Sequence, residues 1–167
     1  ELRGQYIITH VVYRLMKSPT FKLGYGDLRA RVEAEGAPTL SAVRKAVTAI
    51  RDSKLPDPKK LGNAGSFFTN PVIPSEQYEA LKTQYPDMPS YAIDDTRVKV
   101  PAGWLIEHVG WKGRALGRAA VHDRQALVLV NKGGATGKEV MQLAHRISED
   151  IYTQYGIRVV PEVNYIQ

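Results

Sequence analysis

The spacing of apolar positions changes several times along the chain, and each change marks an element. Tyr6 to Leu15, YIITHVVYRL, is dense in β-branched and aromatic side chains and predicts a strand that pairs with strands lying outside these 167 residues. Asp27 stands where it can cap a short helix from Leu28 to about Ala34, which Gly36 ends. Behind a possible cap at Thr39, apolar Val43, Ala46, Val47 and Ile50 recur at helical spacing, while Arg44, Lys45 and Arg51 fall on other faces. Ser75 after Pro74 starts a further helix through about Gln84, broken by Tyr85-Pro86. Pro86 to Thr96 predicts a surface loop, Val98 to Val100 a short strand, and Pro101 the entry to a helix from Ala102 to about Val109. Glycines 110, 113 and 117 then carry the chain to a strand over Ala126 to Asn131. Thr136 and Glu139 form a capping box ahead of a long helix with Val140, Leu143, Ala144, Ile147 and Ile151 on one face, closed by Gly156. Strands Ile157 to Val160 and Val163 to Ile166 end the chain. This irregular alternation predicts an α+β fold, a mixed sheet with helices packed on one side.

Against that framework the stretch Gly62 to Pro71, GNAGSFFTNP, stands out. Small residues around Asn63 let the backbone turn sharply and approach a ligand, which makes Gly65 a binding candidate and presents Ser66 at the end of the turn. Phe67 and Phe68 are expected to anchor the segment in a core as the start of a strand, and Asn70-Pro71 to stop it. The simplest account is a glycine turn leading into a buried strand. Upstream, RDSKLPDPKKLGN is basic, and its two prolines hold Leu55 to Pro58 extended. Cations beside a tight glycine turn suit an anion.

Composition narrows the choices. A chain of 167 residues buries enough surface for one core, or one core with an appendage. There is no cysteine, which removes disulfide, zinc-thiolate and cysteine-nucleophile chemistry and is compatible with a reducing cytoplasm. No apolar run reaches membrane-spanning length, and no membrane partner is expected. The 23 basic and 17 acidic residues give +6, but the charges are interleaved, so nucleic acid is not the expected partner. The local excess is Arg44, Lys45, Arg51, Lys54, Lys59 and Lys60, a patch suited to a diphosphate.

Several apparent motifs dissolve. Gly133 to Lys138 lacks the spacing and the following hydroxyl residue of a P-loop, since position 139 is Glu. Gly24-Tyr25-Gly26 has Arg29 where a dinucleotide fingerprint needs glycine, and Ser66 lacks the flanking pattern of a nucleophile elbow. His10, His108, His122 and His145 show no ligand spacing, so no metal site is expected. Arg51 and Lys54 read most simply as a solvated helix end, which the helix dipole favours. Glu162, in an otherwise apolar terminal segment, reads as a side chain turned to solvent.

RDSKLPDPKKLGNAGSFFTNPVIP, YGDL at Tyr25 to Leu28, the stretch Pro101 to Asn131 and PEVNYI at Pro161 to Ile166 together resemble the UDP-N-acetylenolpyruvoylglucosamine reductase family, in that family's order and over nearly the whole chain. The resemblance implies a flavoenzyme of peptidoglycan synthesis that uses FAD and NADPH, acts on UDP-N-acetylglucosamine enolpyruvate, and is monomeric and cytoplasmic. It implies that residues 1–20 end the flavin-binding region, 21–60 link, and 61–167 form the substrate-binding domain, so that no cofactor stays with this portion alone. Ser66 would be the general acid and Glu162 would orient the enolpyruvyl group. Tyr25, Lys54 and Asn70 would hold the diphosphate with Arg51 nearby, and Gln125 would contact the sugar-enolpyruvyl end. The alternative is a non-enzymatic basic module that binds a nucleotide or RNA, for which clustered cations with exposed aromatics are expected.

Overall fold

A computed structural model describes residues 6–165. The chain divides into two compact units, one running to Ile50 and the other starting at Arg51. In the first, helix α1 (Leu28–Glu33) and helix α2 (Leu40–Lys54, which continues into the second unit) bury Leu28, Val32, Ala46 and Ile50 together with Leu23. Thr39 caps α2 as expected, its Oγ1 accepting from Ala42 N–H at 3.1 Å. Asp27 makes no side-chain cap on α1, and its carboxylate instead accepts from Arg31 Nε at 2.6 Å, one helical turn on.

The Tyr6–Leu15 segment is not a strand: it has no regular structure and every residue in it is exposed. Propensity alone does not make a strand, because a strand's backbone groups need a ladder partner. No described residue supplies one here.

The second unit carries two antiparallel sheets rather than one mixed sheet. The first has the order β1 (Gly62–Ser66), β7 (Val128–Asn131), β6 (Ala119–Val121), β5 (Ala115–Leu116). The second has the order β2 (Val72–Pro74), β4 (Arg97–Lys99), β3 (Tyr91–Ala92). The β5–β6 hairpin occupies the stretch expected to be a glycine-rich connection. Its strands are too short for an alternating pattern to register. The expected loop over 86–96 likewise contains β3 and a fully buried Met88, whose carbonyl accepts from the Tyr78 hydroxyl at 2.8 Å. In the β3–β4 turn, Arg97 beside Asp94 holds that exposed carboxyl down to about 2.

Three helices complete the unit: α3 (Ser75–Gln84), α4 (Ala102–His108) and α5 (Gly137–Tyr155). One face of β6 and β7 packs Ala119, Val121 and Leu129 into the main core, with Leu143, Ala144, Ile147 and Ile151 of α5, and Leu105 and Ile106 of α4. The opposite face buries Ala120, Val128 and Val130 against Leu55 and Leu61. Coverage on both faces is why Val128-Leu129-Val130 reads as a continuous apolar run instead of an alternating one. The two leucines bracket the proline segment and pin it to the sheet.

The capping box of α5 is present, with Thr136 N–H donating to Glu139 Oε2 at 2.8 Å and Glu139 N–H donating to Thr136 Oγ1 at 3.2 Å. Those contacts with Thr136 lower the Glu139 pKa. The carboxylate thereby occupies the helix end at which a P-loop would hold phosphate. After Gly156 the predicted strands reduce to a single bridge between Phe68 and Pro161; Ile166 lies outside the described residues. Among the described residues only Thr69 and Glu162 donate backbone N–H groups across this junction, to Val160 and Phe67, too few bonds for a ladder.

Candidate functional site

The segment expected to turn is itself a strand, and the turn is a bulge within it. In β1, Asn63 pairs with Val130 and Ser66 with Val128, so one extra residue is accommodated between them. Gly65 takes φ +73°, where a side chain would be strained. Asn63 shapes the bend, its Oδ1 accepting from Gly65 N–H at 3.0 Å and its Nδ2 donating to the Leu61 carbonyl at 2.9 Å. Ser66 is therefore the last residue of β1, exposed, and its hydroxyl has no hydrogen-bond partner among the described residues. Phe67 and Phe68 follow the strand and do not begin it. Both are buried, edge to face at 5.3 Å, and they anchor the bulge to the main core.

The bend brings in the C-terminal segment. Phe67 N–H donates to the Leu127 carbonyl at 2.8 Å, and Glu162 N–H donates to the Phe67 carbonyl at 2.8 Å. Glu162 is thus one residue across from the neighbour of Ser66, and its side chain is exposed. Separation in sequence hides this juxtaposition, because a single bridge creates it.

Asn70 has a structural commitment that its place after the strand does not announce. Its Oδ1 accepts from Ala102 N–H at 2.9 Å and caps α4 from 32 residues away, leaving Nδ2 as the group it can offer a ligand. Gln125 sits in the turn before β7, its carbonyl accepting from Val128 N–H at 3.0 Å. Tyr25 belongs to the first unit and is 75% exposed.

A cavity of about 660 Å³ opens beside the bulge, lined by Arg51, Asp52, Asp57, Lys60, Gly65 and Arg124 among others. It unites the predicted Arg51 and Gly65. Lys54 does not line it and stands exposed at the end of α2. Lys60 and Arg124 were not singled out by sequence; Lys60 had a signal in the local basic excess, whereas Arg124 is an isolated cation in a turn. Cations exceed acids in the cavity wall by three to two, and Asp57 Oδ1 is already engaged by Lys59 N–H at 3.0 Å. The arrangement can hold an anion within reach of a strand end that offers a hydroxyl.

A larger cavity, about 890 Å³, lies between Trp111 and the outer face of α5. Four of its residues pair with one another: Trp111 Nε1 donates to Asp150 Oδ2 at 2.8 Å, Arg146 bridges Asp150 at 3.1 Å, and Arg114 covers the indole at 5.0 Å. Of the residues named in the sequence only His145 lines it, and none of the expected catalytic or binding residues does. Among the described residues no cluster of three acidic or histidine side chains suits a metal, and no helix is long and apolar enough to cross a membrane.

Comparison with known proteins agrees with the motif-bearing segments. Residues 57–166 match the family model described as UDP-N-acetylenolpyruvoylglucosamine reductase, C-terminal domain. A UDP-N-acetylenolpyruvoylglucosamine reductase of Bacteroides fragilis is 52% identical over 159 residues, covering 95% of this chain and 48% of that protein. Proteins of the same name from Burkholderia multivorans and Paraburkholderia xenovorans are 56% and 53% identical, covering 96% and 97% of this chain and 47% and 48% of their own lengths. The chain therefore spans about half the length of the curated relatives it matches. With the bulge segment and the terminal bridge inside the region matched by the family model, and relatives more than half identical over nearly the whole chain, the chain belongs to the UDP-N-acetylenolpyruvoylglucosamine reductase family.

Proposed function

We propose that this chain is the substrate-holding portion of an enzyme that reduces UDP-N-acetylglucosamine enolpyruvate to UDP-N-acetylmuramate in cytoplasmic peptidoglycan synthesis. The observation that carries the reading is the Gly65 bulge, which ends β1 on an exposed Ser66 beside a cation-lined cavity and one bridge away from Glu162. The hydride of that reaction comes from NADPH by way of FAD. The walls of the cavity contain two arginines, a lysine and two prolines but no aromatic ring, so they fit an anionic substrate and not an isoalloxazine. FAD and NADPH are accordingly assigned to the intact enzyme, and residues 1–20, 21–60 and 61–167 to the end of the flavin-binding region, a link and the substrate-binding domain.

In this reading Tyr25, Lys54 and the Nδ2 of Asn70 hold the diphosphate with Arg51 nearby, Gly65 lets the substrate approach the backbone, and Gln125 contacts the sugar-enolpyruvyl end. Reduction of the enolpyruvyl double bond adds hydride to the methylene carbon and a proton to the carbon bearing the ether and carboxylate. Ser66 delivers that proton, and Glu162 orients the enolpyruvyl group and stabilises the enolate-like charge that precedes it. A serine hydroxyl is a weak acid in water and protonates carbon only against a far more basic carbanion in a dry, preorganised site. Because Ser66 is open to solvent in this chain, substrate and the remainder of the enzyme must supply that exclusion of water.

The test is Ser66→Ala in the full-length enzyme, with the two half-reactions followed separately by stopped flow. Flavin reduction by NADPH is expected to keep its rate, while reoxidation by the enolpyruvyl substrate slows by at least ~10² to 10⁴-fold, the span of general-acid catalysis. Reoxidation at the parent rate would reduce the bulge to a structural turn.

A further inference from the structure

Arg124 reaches the cavity beside β1 from the turn before β7, whereas most of the wall comes from the Arg51–Lys60 segment. Two bonds fix it there. Its backbone N–H donates to Nδ1 of the buried His122 at 3.3 Å, and its Nη1 donates to the Ser53 carbonyl at 3.0 Å. Ser53 lies in the last turn of α2, where carbonyls lack intrahelical partners and the helix dipole favours a cation. The contact therefore ties the end of α2 to the sheet that carries Ser66. It uses one guanidinium nitrogen. The remaining N–H donors have no protein acceptor among the described residues, and Arg124 lines the cavity with Arg51 and Lys60, in a wall that also holds Asp52 and Asp57.

A planar, permanently charged fork held by one nitrogen, with unpaired donors and a place in the wall of a cavity where cations outnumber acids, is suited to two oxygens of a phosphate. We propose that Arg124 is an anion-binding residue of this cavity and that its ligand is the diphosphate of a nucleoside diphosphate sugar. The proposal rests on the reading above that this chain holds a UDP-sugar. It adds a contact that the isolated position of Arg124 in the sequence does not announce. The bond to Ser53 gives the same residue a second task, because it restrains the helix end that bears Arg51 and Lys54.

The experiment is calorimetric titration of the 167-residue chain with UDP at several salt concentrations, for the parent, Arg124→Gln and Arg124→Lys. Arg124→Gln is expected to weaken UDP binding by ~10-fold or more, the usual worth of a charge-assisted contact, and to make the remaining affinity less salt-dependent. Arg124→Lys should recover part of the affinity, because it restores the charge without the fork. Thermal melting separates the two tasks, since a variant that melts like the parent yet binds UDP weakly has lost an anion contact and not its fold. Parent-like affinity in Arg124→Gln would overturn the proposal. So would equal losses in both variants with an unchanged salt dependence, which would make Arg124 a strut only. Absence of UDP binding by the parent chain would overturn the assignment of the cavity, while the reductase reading is decided independently by the Ser66 half-reactions.

Discussion

Gly65 decides more about the site than the serine that follows it. Its positive φ is what inserts the extra residue in β1 and turns Ser66 to the strand end. A Cβ there would meet nothing within 4 Å, so substitution has no steric obstacle and its cost is purely conformational. Gly65→Ala is expected to destabilise the chain by about 1–2 kcal/mol, seen as a lower urea midpoint with an unchanged slope. A midpoint equal to the parent's would mean that the bulge is not held in the left-handed conformation. Asn63 shows the complementary economy: one amide fixes both sides of the bend and leaves Gly65 free to face the cavity.

At the scale of elements, α4 shows how a residue proposed for the site also serves the fold. The helix has Pro101 before it and no cap from its own segment, and Asn70 supplies one from the far side of β2. Asn70→Ala should therefore cost stability, about 0.5–2 kcal/mol as for other lost caps. Asn70→Asp keeps the acceptor and should melt near the parent, yet its charge repels a diphosphate. In the full-length enzyme the aspartate variant is expected to raise the KM for the UDP-sugar with little change in kcat. If Asn70→Asp bound substrate like the parent, Asn70 would be a cap and nothing more. The proline segment makes a similar double use of sequence, with Leu55 and Leu61 half-buried against the sheet while Pro56, Asp57, Pro58 and Lys60, with Leu55, wall the cavity.

For the molecule as a whole, burial is concentrated from Phe67 onward, and residues 6–20 are exposed without regular structure. Ile7, Ile8, Val12 and Leu15 are each at least 83% exposed, a level of apolar exposure that leaves their backbone amides and side chains unprotected. Limited proteolysis of the 167-residue chain should cut first within residues 6–20, with the unit from Arg51 surviving as a resistant product. Cleavage beginning inside α5 or the β6–β7 pair would contradict this distribution of stability.

Local signals determined much on their own: apolar spacing and caps put α2 and α5 where they lie, and Pro74-Ser75, Tyr85-Pro86 and Pro101 do the same for α3 and α4, because helical contacts are local and their signals sit within a few residues. The glycine segment, the basic proline segment and the family motifs were also legible, and with them the α+β class and the presentation of Ser66 at the end of the bend. Sheet structure was legible only in part: the strands expected over Val98 to Val100 and Ala126 to Asn131 are β4 and β7, whereas β2, β3, β5 and β6 were missed because strands of two or three residues carry little pattern. Whether YIITHVVYRL forms a strand depends on a partner, which is not a property of the segment. Tertiary structure alone decided that β1 bulges at Gly65, that Asn70 caps α4, that Pro161 brings Glu162 beside Phe67, and that Arg124 meets Ser53 across 71 residues. Each of those depends on closing a long loop around a packed core, and no local spacing encodes the closure.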